Sequence, residues 1–465
     1  MILTLKEIQA AISPAAFVGE PSRHRMYPAG ISTDSRQIRS GELFVALRGE
    51  KFDGHEFVPA IQSAALAAIV EEYWFEKIKP SSGNFLLVHD SLRALQSCGR
   101  AVRRFWQKPV VAIGGSNGKT TTKELVYGVL AQAYQTHRTL GNLNNHIGVP
   151  LTLAGLQNEH AFAVIEVGTN HFGEIARLCE IAEPNFGLIT NIGREHLEYF
   201  GDLAGVARAE LELFDYLKAY GGTALVNIDD PTLRAQKWDD LPTITYGFSE
   251  GAQVRGGQAM IGEDGCSTFA VEGISIRVPI PGAHNTLNAL AAVAVGLQFG
   301  VPLEHARMGI ESCKAVSKRM QVEHIAGLTF INDAYNANPE SMRVALDSLM
   351  TMPLSKSGRR IAVLGDMLEM GAAGEAAHRE IGEKINQIKI DAVFTFGPAS
   401  RHIVEAIDPR RISKIEHFQA KPDICNAVSE FLRSGDVVLV KGSRGMKMEE
   451  VIEAYRRSCV EEKST

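Results

Sequence analysis

The stretch Gly114-Gly115-Ser116-Asn117-Gly118-Lys119-Thr120 lies between the apolar run Val110-Val111-Ala112-Ile113 and a segment, Thr120 to Tyr134, with helical character. A buried strand running through glycines into a helix turns several backbone N–H groups toward one point, where the helix dipole also favours negative charge. In this arrangement Lys119 reaches the β- and γ-phosphates of a nucleotide and Thr120 offers its hydroxyl to Mg²⁺. The spacing departs from the usual phosphate loop, since Ile113 stands where a first glycine is normal. A glycine-rich turn carrying Lys and Thr by chance is the bland alternative, and the strand before and helix after it argue against that.

The loop belongs to a longer alternation. Strands are expected at Val110–Ile113, Phe162–Val167, Gly187–Thr190 and Thr223–Val226, with helices between them, which makes right-handed crossovers and a mostly parallel buried sheet. Between Thr243 and Pro279 short pieces broken by Gly256-Gly257 and Gly265 predict an antiparallel flap, followed by a helix over Asn285–Phe299. A second alternation has strands at Leu328–Asn332, Ile361–Leu364, Ala392–Phe396 and Val437–Val440. At 465 residues the chain exceeds one hydrophobic core. The expected division is 1–105, 106–314 and 315–465: a small leading α/β domain, a central P-loop ATPase-type domain with a mostly parallel sheet, and a C-terminal Rossmann-like α/β domain.

Composition excludes several classes. The net charge is -6 and basic residues cluster only as pairs such as Arg103-Arg104, so no stripe exists to hold a nucleic acid. Six scattered cysteines form no CxxC pair, no apolar run approaches a membrane span, and the N-terminal residues do not resemble a signal peptide. A cytoplasmic monomer with no membrane partner is expected.

Further candidates sit at strand ends. Glu166 closes the apolar strand Ala163-Val164-Ile165, where carboxylates of parallel sheets face the ligand crevice and can hold Mg²⁺. His196 follows Thr190-Asn191-Ile192-Gly193 in the same way; alone, such a histidine is more often a plain loop residue.

Together these segments resemble the Mur ligases, which extend the peptide of bacterial cell-wall precursors. Thr33-Asp34-Ser35-Arg36 and Gly41 to Gly49 look like the family's pocket for a UDP moiety. Gly141-Asn142-Leu143-Asn144-Asn145-His146-Ile147-Gly148-Val149-Pro150, Asp333 to Met342, Val363 to Gly371 and Val440 to Glu449 are similar to the dipeptide-adding branch, and the DNPR signature typical of the diamino-acid-adding branch is absent from the sequence. The resemblance implies ATP and Mg²⁺ as cofactors, UDP-N-acetylmuramoyl-tripeptide and D-alanyl-D-alanine as substrates, and an acyl-phosphate route to the amide.

By the same resemblance Lys119, Glu166, His196 and Glu210 are catalytic, and Thr120, Glu166, His196 and Glu210 hold metal. Gly115, Ser116, Asn117, Gly118, Lys119, Thr120, Thr121, His284, Asn288, Arg319 and Asp333 take ATP. Ser35, Arg36, Arg48, Asn144 and Asn145 take the UDP substrate, and Asn336, Ser443 and Arg444 the dipeptide. Many relatives carry a carbamylated lysine where this chain has Glu210, whose carboxylate needs no CO₂. A folylpolyglutamate-synthase-type ligase, a P-loop motor and an inactive UDP-sugar-binding scaffold remain the alternatives. The leading domain argues against the first, and intact Lys119, Thr120 and Glu166 against the last.

Overall fold

The computed structural model describes residues 1–12 and 16–461. Each α/β unit is built on its own sheet. In the leading unit the strand order is Ala16–Val18, Phe85–Val88, Ala67–Glu71, Leu43–Val45, Ile31–Ser32, parallel except for the first pair. The helix Ser91–Trp106, capped by Asp90 accepting from the Arg93 amide, carries the chain onward. Its buried Arg103 donates to the Ala182 and Glu183 carbonyls and to Asn185 Oδ1, tying the leading unit to the central one.

The central sheet has seven strands in the order Val254–Arg255, Thr243–Gly247, Thr223–Asn227, Phe186–Ile189, Val110–Gly114, Phe162–Glu166, Thr136–Arg138, all parallel. Val110–Gly114 and Phe162–Glu166 are buried at every position, as a parallel sheet covered by helices on both faces requires. The chain leaves Val110–Gly114 toward one edge and later returns on its other side, so the crevice beyond these strand ends is a topological switch point.

The expected flap is smaller than the sequence suggested. Thr243–Gly247 and Val254–Arg255 extend the central sheet in parallel, and only Met260–Ile261, Ser267–Val271 and Ile274–Val278 form an antiparallel three-stranded sheet. The third unit has the order Gln321–Ile325, Leu328–Asp333, Val437–Lys441, Arg360–Gly365, Ala392–Phe396, Lys414–Phe418, again with one antiparallel edge pair.

One apolar cluster runs from Val206, Leu213 and Val226 of the central unit to Ile331, Leu346 and Leu364 of the third. The two therefore pack directly, and the switch-point crevice lies under the third unit. No helix among the described residues is long and apolar enough to cross a membrane.

Candidate active site

The phosphate loop is shaped by its glycines. Gly115 has φ +111 and lies where a Cβ would fall 2.3 Å from Thr190 Oγ1; Gly118 has φ +83 and initiates the helix Lys119–Leu130. Ser116 Oγ donates to the Gly193 carbonyl at 3.1 Å and accepts the Gly193 amide at 2.8 Å, while the Asn117 amide donates to Asn191 Oδ1 at 3.1 Å. The Lys119 ammonium donates to the Gly115 carbonyl.

Three buried carboxylates act on that ammonium. Glu195 Oε2 lies 3.8 Å from Lys119 Nζ, and Glu166, Glu195 and Glu210 are all buried. Burial alone would lower the lysine's pKa, but Glu195, Glu210 and Glu166 more than offset it and the net shift is upward. Burial raises Glu195, opposed by Lys119, and raises Glu210, opposed by Lys119 and by the Gly115 amide.

Glu166 has the environment of a metal ligand. Its Oε1 accepts Thr120 Oγ1 at 3.0 Å and Asn144 Nδ2 at 2.9 Å, while Oε2 is buried without a hydrogen-bond partner, 3.6 Å from the wholly buried Lys123 ammonium. A hydroxyl and a carboxylate with an unused oxygen are hard donors suited to Mg²⁺, which commonly takes one or two protein oxygens and completes its shell with phosphates and water. Thr120 and Glu166 fit the ion. No group of three or more His, Cys, Asp or Glu that could hold a metal is gathered among the described residues.

The remaining expected residues are divided by the fold. A cavity of about 870 Å³ is lined by Ser116, Asn117, Gly118, Lys119, Thr121, Glu166, His196, His284, Asn288, Arg319, Asp333 and Asn336, so both the central and third units supply walls. Asn144 and Asn145 also line it, apart from the leading-unit residues with which the sequence reading grouped them. Asn145 Oδ1 accepts the Ile147 and Gly148 amides.

Ser35, Arg36 and Arg48 lie outside this cavity; Arg36 is paired with Asp34 at 2.8 Å and Arg48 lies over the Tyr73 ring. Ser443 is buried and occupied, donating to the Ala337 carbonyl and accepting the Leu368 amide, and Arg444 points to Glu449. Neither lines the cavity. Glu210 sits behind the loop, where it accepts the Gly115 amide at 2.6 Å, and the carboxylate beside His196 Nε2 is Glu195 at 3.8 Å.

Several residues escaped the sequence reading. Lys441 reaches Asp333 at 2.6 Å and the Asn336 carbonyl at 2.7 Å. Tyr335 carries the Arg319 guanidinium 3.9 Å above its ring. His196 Nδ1 meets the Glu369 carboxylate of the third unit; burial lowers the ring's pKa, with Glu369 opposing. For Glu195 the only signal was an acid directly before His196. Lys441, Tyr335 and Glu369 lay inside matched segments without a sign of where they would point.

Residues 113–296 match the Mur ligase middle domain, 318–444 the Mur ligase glutamate ligase domain and 28–77 the Mur ligase catalytic domain. Over 429 residues the chain is 38% identical to the UDP-N-acetylmuramoyl-tripeptide--D-alanyl-D-alanine ligase of Bacillus subtilis, covering 91% of this chain and 92% of that one. It is 35% identical to the enzyme of the same name from Escherichia coli, covering 92% and 94%. Among solved structures it is similar to MurF from Acinetobacter baumannii, with TM-score 0.82 and 31% identity over 98% of each chain. MurF from Thermotoga maritima in complex with ADP superposes with TM-score 0.79 and 29% identity, over 92% of this chain and 97% of that one.

Proposed function

The chain belongs to the Mur ligase family, and on that premise we propose how its residues join D-alanyl-D-alanine to UDP-N-acetylmuramoyl-tripeptide. It is an ATP-dependent ligase of peptidoglycan precursor synthesis. A carboxylate does not acylate an amine in neutral water, so the tripeptide's terminal carboxylate first attacks the γ-phosphorus of ATP, and ADP leaves. The amine of the dipeptide then attacks the acyl carbon, loses its proton, and expels inorganic phosphate to leave the amide.

The observation that carries this reading is the unused Glu166 oxygen beside Thr120 in a cavity that also contains Lys119. Mg²⁺ held by Thr120 and Glu166 would supply positive charge to the phosphoryl oxygens. Lys119 leaves the Gly115 carbonyl to neutralise the β- and γ-phosphates, and the loop and helix N–H groups hold them in line. His284 and Asn288 border the base side, and Arg319 and Asp333 the phosphate and ribose sides. Asn336 faces the incoming dipeptide, with Ser443 and Arg444 behind it. Ser35, Arg36 and Arg48 hold the UDP end. Walls from two units exclude water from an acyl phosphate that would otherwise hydrolyse.

The division at 105 and 314 is proposed on the same basis, since each main sheet falls within one of the three ranges. A monomer working in the cytoplasm, supplying wall growth and hence cell shape and division, completes the reading.

Phosphate release with ATP and Mg²⁺, omitting each organic substrate in turn, tests it. Release that needs both is expected. Release that needs neither, or that needs a nucleic acid, would overturn it in favour of a P-loop motor.

A further inference from the structure

We infer that Glu369 is a positioning residue: the third unit delivers its carboxylate to His196 Nδ1 and so turns Nε2 of that ring into the active-site cavity. The two residues are 173 positions apart and belong to different units, yet Glu369 holds the His196 segment twice. Its carboxylate meets the imidazole, and its backbone carbonyl accepts the Glu198 amide at 3.0 Å. That amide lies in the first turn of the helix Leu197–Phe200, which starts at His196, so one residue fixes both the ring and the element that bears it.

The backbone on both sides is bent to allow this. Glu369 has φ +60 and His196 φ +50, left-handed conformations that are unfavourable for a non-glycine residue and persist where surrounding contacts enforce them. Gly371, at φ +53, lies where a Cβ would come 3.0 Å from Glu198 Cα, so the close approach of the two units needs glycine there.

The consequence is chemical. An ionised carboxylate only accepts hydrogen bonds, so Nδ1 carries the proton and Nε2 of the neutral ring presents a lone pair. His196 lines the cavity, and its Nε2 lies 3.8 Å from Glu195, which is itself 3.8 Å from the Lys119 ammonium. Docking of the third unit therefore selects the tautomer whose Nε2 lone pair faces the cavity beside Glu195. With that unit withdrawn, no carboxylate at Nδ1 makes the selection.

The test uses full-length, ligand-free protein labelled with ¹⁵N-histidine, with His196 assigned by its loss in His196→Gln, at a pH where imidazoles are neutral. Wild type is expected to show Nδ1 protonated. Glu369→Ala should move the signal toward the Nε2–H form, and Glu369→Asp should restore it in part. In the ligase assay Glu369→Ala should lower kcat about tenfold or more with KM for the UDP substrate unchanged, again with partial rescue by Asp. An unchanged tautomer in Glu369→Ala, or a kcat within about twofold of wild type, overturns the inference. If the alanine variant fails to fold by circular dichroism, Glu369→Leu, which fills similar space and offers no acceptor, is judged on the same two readouts. The kinetic arm rests on the ligase reading and the spectroscopic arm does not. A tautomer switch in a protein with no ligase activity would fault that reading alone.

Discussion

Arg194 and Glu340 are joined across the boundary between the central and third units: Arg194 Nε donates to Glu340 Oε1 at 2.7 Å and the Arg194 amide to Oε2 at 3.1 Å. Arg194 also pairs with Glu380 at 2.9 Å, and Arg343 contacts both acids. Beside this network Asn338 Nδ2 donates to Asn117 Oδ1 of the phosphate loop at 2.9 Å. The third unit is thus latched to the phosphate loop of the central one.

Arg194→Ala should therefore weaken catalysis through docking rather than chemistry. The side chains are about one-third exposed, so solvent screens the pairs and the expected loss is about 1 kcal/mol, or roughly fivefold in kcat/KM for ATP. Glu340→Ala should cost a similar amount, and the double variant less than the sum. Added salt should reduce wild-type activity and barely affect the double variant. Fully additive losses would show that the two side chains act separately rather than as a latch, and equal salt responses that their pairing has no part in catalysis.

Glu210 acts on the phosphate loop from behind. Alanine there leaves the buried Gly115 amide without its acceptor, which costs about 1–3 kcal/mol. Glutamine can still accept with its carbonyl but no longer balances Lys119. The expected order of kcat/KM for ATP is wild type, then Glu210→Gln, then Glu210→Ala, the last about 10- to 100-fold down, with affinity for the UDP substrate unchanged. Because residue 210 is already a carboxylate, removing bicarbonate should leave wild-type turnover unaltered. A drop restored by bicarbonate would mean that a lysine elsewhere is being carbamylated.

The loop that Glu210 supports was legible because all its determinants are local: a β-branched strand, glycines at the turn, then Lys and Thr opening a helix. Glu166 was legible for a related reason, since a strand end in a parallel sheet faces the crevice. Edge strands were harder. Gln321–Ile325 and Lys414–Phe418 are half-buried and polar, so they lack the continuous apolar run that marked their neighbours. Thr243–Gly247 looked like part of a flap because glycines follow it, yet its pairing is with Thr223–Asn227. Glu369, Glu340 and Lys441 could not have been placed from the sequence. Their partners lie more than 100 residues away: packing of the third unit onto the central one brings Glu369 and Glu340 to theirs, and pairing of Leu328–Asp333 with Val437–Lys441 inside the third unit brings Lys441 to Asp333.

Gly118 offers a sharp test of the loop. It holds φ +83, and a Cβ would lie 2.8 Å from Asn288 Oδ1, whose side chain is fixed by a bond to Asn285. Gly118→Ala combines a left-handed backbone penalty of about 1–2 kcal/mol with that collision. KM for ATP should rise about tenfold or more while binding of the UDP substrate, measured calorimetrically without nucleotide, stays as in wild type. An ATP KM within about twofold of wild type would show that the loop relaxes freely.

His284 predicts a pH dependence of stability. The ring is half-buried at the cavity wall with Nδ1 shielded from solvent and unpartnered, and this desolvation lowers its pKa to about 4 against partial opposition from Asp333. In the unfolded chain an imidazole titrates near its ordinary value of about 6.5. Between these two values the unfolded chain binds more protons than the folded one, so stability present above about pH 6.5 is lost as pH falls toward 4. His137, His196 and His378 are lowered in the same direction and add to the slope. His284→Gln removes one contribution, and urea unfolding of ligand-free protein at about pH 7.5 and about pH 5 should show a smaller loss in the variant than in wild type. Parallel losses would mean that the ring is not held neutral by its burial, and that a proton can enter this wall of the cavity without cost to the fold.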